Sequence, residues 1–108
     1  MNFSFKVFAE VGDIYMCEMT ENLSILDHKI TNYRLENFKF LRSTKELRFG
    51  NEENTFQDYT VVVSGGSGEM FWGGNEGLNL FTYDNGNFVW ARADVNDGSL
   101  ITAKCTFF

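Results

Sequence analysis

The sequence predicts an antiparallel all-β domain, a sandwich or barrel of about seven or eight short strands that spans residues 1–108. Apolar and polar residues alternate with a period of two along much of the chain, as in strands that bury one face. Asn85-Gly86 and Asp97-Gly98 are dipeptides favoured in two-residue hairpin turns. The chain has no proline, and 44% of its residues are apolar. Because each recognisable connection is a hairpin, we expect antiparallel pairing.

The first half of the chain gives the weaker signals. Residues 3–7 and 14–20 alternate as strands, with a tight turn at Gly12-Asp13 between them. Residues 22–30 include three apolar side chains at helical spacing, so a short helix is possible there: Leu23, Leu26 and Ile30. Residues 33–49 fit a strand pair or an amphipathic helix, and their aromatic content favours the strands.

The second half is clearer. Residues 58–64 are rich in β-branched side chains, and residues 70–72 form another short strand. With both dipeptides as central turn pairs, Phe81 faces Trp90, and Trp90 also faces Cys105. One face of this meander is then a core face: Phe81, Tyr83, Phe88, Trp90, Ile101, Ala103, Cys105 and Phe107. The second face is also largely apolar, so we expect a helix, a sheet or a partner chain to cover it.

The net charge of −6 is unevenly distributed. Residues 31–48 are basic, whereas residues 49–108 hold eight of the fifteen acids and only two bases. An acidic chain with a thin basic patch is repelled by nucleic acid. The charge favours a basic protein partner instead, because complementary potentials speed encounter.

The cysteines and the N-terminus bear on the compartment. Cys17 and Cys105 could form one disulfide, but without a recognisable secretion signal we expect two reduced, partly buried thiols. No apolar run approaches the roughly 20 residues of a membrane span. We therefore expect a cytoplasmic protein with no membrane partner, either a monomer or a weak dimer.

Residues 65–77, GGSGEMFWGGNEG, combine glycines with two adjacent aromatic residues. A phosphate-binding loop is excluded because the lysine of a Walker A loop and the third glycine of a dinucleotide fingerprint are both missing. Since a strand alternates faces, one of Phe71 and Trp72 should point outward. Exposed aromatic residues among glycines are typical of contact surfaces.

Candidate catalytic and metal sites are scarce. His28 is the only histidine, and no local cysteine spacing suggests zinc. We therefore expect no catalytic residues, no metal and no cofactor. The partner-binding candidates are the acids in or near turns after residue 48 together with the two adjacent aromatic residues: Glu52, Glu53, Asp58, Glu69, Phe71, Trp72 and Glu76.

In size, charge and lack of catalytic residues, the whole chain resembles the small acidic immunity proteins of bacterial toxin systems, including those of contact-dependent growth inhibition. The resemblance implies a non-catalytic antagonist that covers the active site of a basic toxin, such as a nuclease. Two alternatives remain: a small β-barrel whose aromatic face lines a cavity for an apolar ligand, or an assembly domain that pairs through its second apolar face.

Overall fold

The computed structural model describes residues 12–75 and 79–107. These residues form a closed antiparallel barrel of eight strands and one additional strand, which confirms the all-β prediction. The strands are β1 (Ile14–Leu26), β2 (Lys29–Asn32), β3 (Asn37–Arg42), β4 (Glu46–Phe49), β5 (Thr60–Ser67), β6 (Met70–Gly73), β7 (Asn79–Asp84), β8 (Asn87–Asp94) and β9 (Asp97–Phe107). The strand predicted at residues 3–7 lies outside the described residues.

The barrel closes where β1 pairs with β9, the first and last strands described. From β3 to β9 each strand pairs with the next along the chain. The first half of β1 pairs with β3 and its second half with β2, while β9 follows its other edge throughout. As a result, the β1–β2 and β8–β9 hairpins project beyond one end of the barrel, and the molecule is 56 Å long but only 27 by 23 Å wide.

The short helix expected near residues 22–30 is wrong. Asp27 and His28 instead form the turn of the β1–β2 hairpin, both with positive φ (49° and 64°). Aspartate and histidine are among the non-glycine residues that adopt this conformation most readily. An isolated helix of this length is marginal in water, whereas residues 22–26 pair with β9 and residues 29–30 pair back onto β1.

Of the two predicted dipeptide turns, one is confirmed and the other is displaced. Asn85-Gly86 is the turn between β7 and β8, with φ of 48° and 92°, and Phe81 pairs with Trp90 as predicted. The β8–β9 turn lies at Val95-Asn96 instead of Asp97-Gly98. Positive φ there is supplied by Asn96.

This displaced turn shifts the register of the β8–β9 pair. Trp90 is opposite Ile101 and not Cys105, and Phe88 is opposite Ala103 and not Phe107. Because side chains alternate with a period of two and the partner moves by an even number of residues, the same side chains still face inward. The predicted core face is therefore confirmed.

The barrel interior is a solid aromatic core. Tyr15 stacks on Phe40 at 4.8 Å between ring centroids, and Phe71 stacks on Tyr83 at 4.6 Å. At the end from which the hairpins project, Phe56 of the β4–β5 connection is buried against the core. These aromatic side chains therefore pack against one another in the barrel interior. Packed rings of this kind contribute beyond the apolar area they bury.

The expectation of reduced thiols is wrong in this structure, because Cys17 and Cys105 form a disulfide. The two residues are 88 positions apart in sequence but directly opposite each other across the β1–β9 seam. Both are buried. Nothing local in the sequence indicates this pairing, which depends on closure of the barrel.

The second apolar face of the meander is the outer wall of the barrel. Leu80 and Val95 point outward from it and are exposed. No described element covers this face, so the predicted cover is not found within residues 12–75 and 79–107. Among the same residues, no helix has the length and apolar character needed to cross a membrane.

Candidate functional site

The glycine-rich segment folds as the β5–β6 hairpin. Its turn is at Gly68-Glu69, and Gly68 has a φ of 59°. The register shifts between Val63 and Gly65, which marks a β-bulge. Gly66 has a φ of 148°, and a Cβ atom there would lie 2.5 Å from the carbonyl oxygen of Met70. Glycine is thus required at this close approach of the two backbones.

Phe71 and Trp72 lie on opposite faces of β6. Phe71 is buried in the core, so its assignment as a partner-binding residue is wrong. Trp72 points outward with 47% of its surface exposed. The prediction that one of the two aromatic residues faces outward is confirmed.

Trp72 is held over the backbone of Gly65, its direct partner on β5. A Cβ atom at Gly65 would lie 2.7 Å from Cζ2 of the indole ring, so the ring occupies the space that a side chain would fill. An aromatic residue that covers a cross-strand glycine is restrained by that contact. Trp72 is therefore exposed to solvent, while its contact with Gly65 restrains the orientation of the indole ring.

Further exposed apolar side chains surround Trp72 on the outer wall. We call this surface the Trp72 face; its members lie on three neighbouring strands, β5, β6 and β7, and point outward: Val62, Met70, Trp72 and Leu80. A cluster of half-exposed apolar side chains on one wall is more than the single exposed residues that soluble proteins commonly carry.

The boundary of the Trp72 face carries acids. Asp84 is directly opposite Met70, and Glu46 is directly opposite Val62, so both carboxylates are on the outer wall. Glu69 is in the adjoining turn. Glu46 is paired with Arg48, with 2.7 Å between Oε1 and Nε. The charge at this boundary is negative.

The predicted acids do not form one surface. Glu52, Glu53 and Asp58 lie in the β4–β5 connection before β5, whereas Glu69 follows β5. The eight residues of β5 therefore separate the two groups, by about 26 Å at the usual rise per residue. Glu76 lies outside the described residues.

Glu52 is already engaged within the chain. Its Oε1 is 2.7 Å from Nζ of Lys39, and the hydrogen bond from this lysine lowers the pKa of the Glu52 carboxyl group. The same connection buries Phe56. The segment is thus a cap on the barrel end and not only a solvated turn.

The opposite end of the barrel holds two buried tyrosines. Burial raises the pKa of Tyr15, and it raises the pKa of Tyr83 to about 12, with the Glu69 carboxylate adding to the shift. Arg42 donates a hydrogen bond to the Tyr15 hydroxyl at 3.1 Å and lies over the Phe71 ring. Both phenols are therefore neutral at pH 7 and act as hydrogen-bonding groups of the core.

Nothing in the described residues assembles into a metal site, since no group of three or more suitable His, Cys, Asp or Glu side chains occurs there. His28 is exposed in the β1–β2 turn. The disulfide leaves neither cysteine as a thiolate ligand or nucleophile. The chain matches no family model, no curated protein and no solved structure.

The structure also contains a cavity whose lining residues are not among the partner-binding residues predicted from the sequence. A cavity of about 770 Å³ lies where the two hairpins project, and Trp90 is among its lining residues. Strand alternation places Trp90 in the core, and the structure does bury it. The cavity arises because the hairpins extend past the barrel, a property of strand pairing that alternation alone does not reveal.

Proposed function

We propose that this protein is a non-catalytic binding protein that attaches to a basic protein partner through the Trp72 face and blocks the partner's active site. The observation that carries the proposal is Trp72, exposed on the outer wall and held in place over Gly65. Tryptophan is enriched among the residues that dominate binding energy, and prior positioning lowers the entropy lost on binding.

The charge of the partner follows from the surroundings of the Trp72 face. The chain carries −6, and Glu69 and Asp84 adjoin the apolar residues. Acids at the edge of an apolar contact mainly accelerate association with a positively charged surface. Because nucleases must bind phosphate, a nuclease toxin fits this charge, as the resemblance to immunity proteins implies.

The experiment is affinity capture with the wild-type chain, Trp72→Ala and Met16→Ala. Met16 is a matched control because it is an exposed apolar residue on β1, away from the Trp72 face. We expect capture of a basic protein to persist with Met16→Ala. Trp72→Ala should weaken it by ~2 kcal/mol, or about 30-fold in Kd. Equal capture by both variants, or capture of an acidic protein, would contradict the proposal.

The charge contribution has its own pair of variants. Asp84→Lys should slow association with the captured protein and reduce its salt dependence, because Asp84 adjoins the Trp72 face. Glu53→Lys is the control, since Glu53 lies near the other end of β5. If Glu53→Lys slows association more than Asp84→Lys does, the contact surface is at the barrel end and not on the wall.

The assembly alternative makes a different prediction for the same residue. That alternative pairs the second apolar face of the meander, which shares Leu80 with the Trp72 face. If this pairing extends over the Trp72 face, Trp72→Ala should convert a dimer into a monomer in sedimentation experiments. A monomeric wild type whose sedimentation is unchanged by Trp72→Ala would count against assembly and leave the heterologous partner.

The disulfide bears on where such binding takes place. Disulfides persist in oxidising compartments and are rare in the cytosol. A cytoplasmic location, expected from the sequence, stays a proposal, and the Cys17–Cys105 disulfide does not support it. Counting free thiols in protein isolated from its native compartment under alkylating conditions tests it: two free thiols agree with the cytosol, and none agrees with an oxidising compartment.

A further inference from the structure

We infer that two copies of this chain pair edge to edge through β2, with the two strands antiparallel about a two-fold axis at Thr31. β2 is at one end of the strand order and pairs only with β1, so its other edge meets no described strand. All of its residues are exposed. This edge is separate from the Trp72 face, which lies on β5, β6 and β7, so the inference does not depend on the proposed function.

The hydrogen bonds of the β1–β2 hairpin show which backbone groups point toward the free edge. The amide of Tyr33 donates to the carbonyl oxygen of Asn22 at 2.7 Å, and these two residues continue the register of the hairpin. Hydrogen-bonded and non-hydrogen-bonded positions alternate along an antiparallel pair. Thr31 therefore bonds to β1, whereas the N–H and C=O groups of Ile30 and Asn32 point away from it, toward the edge that no described strand meets.

This edge has little of the protection that edge strands usually carry. Natural edges are blocked by proline, by a bulge, or by charged side chains. The chain contains no proline, and the β1–β2 register is continuous. The one charge in the strand is Lys29, its first residue, and the rest of the strand is uncharged. An open edge of this kind accepts a further strand through backbone hydrogen bonds.

The β2 edge is complementary to a second copy of itself. Ile30 and Asn32, the residues with free backbone groups, are separated by one residue. A two-fold axis at Thr31 places Ile30 of each copy directly opposite Asn32 of the other, so each free donor of one strand meets a free acceptor of the other. Most oligomers of identical chains close through such a reciprocal contact, in which the same surface of both copies takes part.

The side chains agree with this register. Thr31 is opposite Thr31 of the second copy, which is a favourable cross-strand pair. Lys29 is opposite Tyr33 of the second copy, so no like charges face each other between residues 29 and 33. On the outer face, Ile30 is 65% exposed, and Ile30 of the second copy becomes its diagonal neighbour. Pairing therefore covers apolar surface as well as backbone groups.

The test is residue-resolved amide hydrogen exchange of the full chain at low and high concentration. An interface this small should give a weak dimer, with a Kd of about 100 μM. At about 1 mM chain, mass action then leaves about one fifth of the molecules monomeric, so the Ile30 and Asn32 amides should exchange about fivefold more slowly than at about 10 μM. The amides of Thr31 and Tyr33, which bond within the hairpin, should be protected at both concentrations.

One pair of variants isolates the backbone contact. Asn32→Pro removes an N–H group from the free edge and leaves the bonds between β1 and β2 in place, whereas Asn32→Ala changes the side chain and keeps the N–H group. The concentration dependence at Ile30 should disappear in Asn32→Pro and persist in Asn32→Ala and in Trp72→Ala.

The comparison of the two concentrations on the wild type stands even if Asn32→Pro fails to fold. The inference is overturned if exchange at Ile30 and Asn32 does not depend on concentration up to the millimolar range. It is also overturned if the dependence persists in Asn32→Pro, since the copies then pair elsewhere, or if Asn32→Ala abolishes it equally. Protection that arises only when another protein is added would assign the edge to a different partner.

Discussion

Reduction of the Cys17–Cys105 disulfide should destabilise the barrel severely, because this bond joins the first and last strands that the structure describes. The two cysteines are separated by 88 positions in sequence, and the bond closes the loop between them. In the chain-entropy model, freeing a loop of that length in the unfolded state costs about 4.5 kcal/mol at 25 °C. Domains of this size have a free energy of unfolding of about 5–15 kcal/mol, so the loss is a large share of the total.

The assay is urea unfolding followed by tryptophan fluorescence, with and without a phosphine reductant. If the free energy of unfolding falls by about 1.5 kcal/mol per M of urea, the loss lowers the urea midpoint by about 3 M. The control is the double variant Cys17→Ala/Cys105→Ala, whose midpoint should not respond to reductant. Its stability should resemble that of the reduced wild type, less a small cost for the two missing sulfur atoms.

Two results would refute this reasoning. Two thiols that titrate in denatured protein never exposed to reductant would mean that the disulfide does not form. If reduction frees both thiols and the urea midpoint does not change, the bond forms but does not stabilise the protein by restricting the unfolded chain. The second result would imply that β1 and β9 remain associated after unfolding.

Gly86→Val should lower the free energy of unfolding by ~1 kcal/mol or more, because Gly86 has a φ of 92°. Asn96→Gly should cost less than about 1 kcal/mol, because glycine adopts the φ of 61° at this position without strain. Chemical denaturation of the two variants checks this, and equal losses would mean that backbone strain is not the cause. The pKa of Tyr83 is raised from 10.0 to about 12, so the stability it supports is complete below pH 10 and declines as pH rises through about 12. Tyr83→Phe should remove a part of that alkaline decline on the order of 2 kcal/mol, and an unaltered pH profile would exclude Tyr83 as its source.

The Trp72 face and the β2 edge can be tested separately. Trp72→Ala removes an exposed side chain and should leave the concentration-dependent exchange of Ile30 unchanged, while Asn32→Pro should leave capture of a protein partner unchanged. If both variants impair both kinds of binding, the common cause is damage to the fold. If each impairs one, the barrel carries two distinct binding surfaces.

Sequence reasoning succeeded where the signal is short-range. The Asn85-Gly86 turn follows from turn chemistry within a few residues, and the strands at residues 33–49, 58–64 and 70–72 follow from aromatic content, β-branched content and alternation. The core face survived even the displaced β8–β9 turn, since an even shift in register preserves the direction of each side chain. Alternation also showed that one of Phe71 and Trp72 must face outward.

Two of the incorrect predictions depend on how strands pair and how far they extend. Residues 22–30 have helical spacing, yet they are strand and turn, because residues 22–26 pair with β9, more than 70 residues later, and residues 23–26 also pair with β2 across the hairpin. The predicted acids appear as one set in sequence, but β5 runs between them and carries them to opposite ends. The helix is thus excluded by pairing with a distant strand, whereas the acids are separated by the length of the strand that lies between them in sequence.

By itself, therefore, the sequence determined that this protein is an antiparallel β structure, which side chains form its core face, and that an aromatic residue of the glycine-rich hairpin is exposed. Only the tertiary structure decided that the sheet closes into a barrel, that Cys17 meets Cys105 at the seam, and that Trp90 lines a cavity. The reason is the range of the forces involved. Side-chain alternation and turn preferences act within one hairpin, whereas closure joins strands from the two ends of the chain and depends on the register of every pair between them.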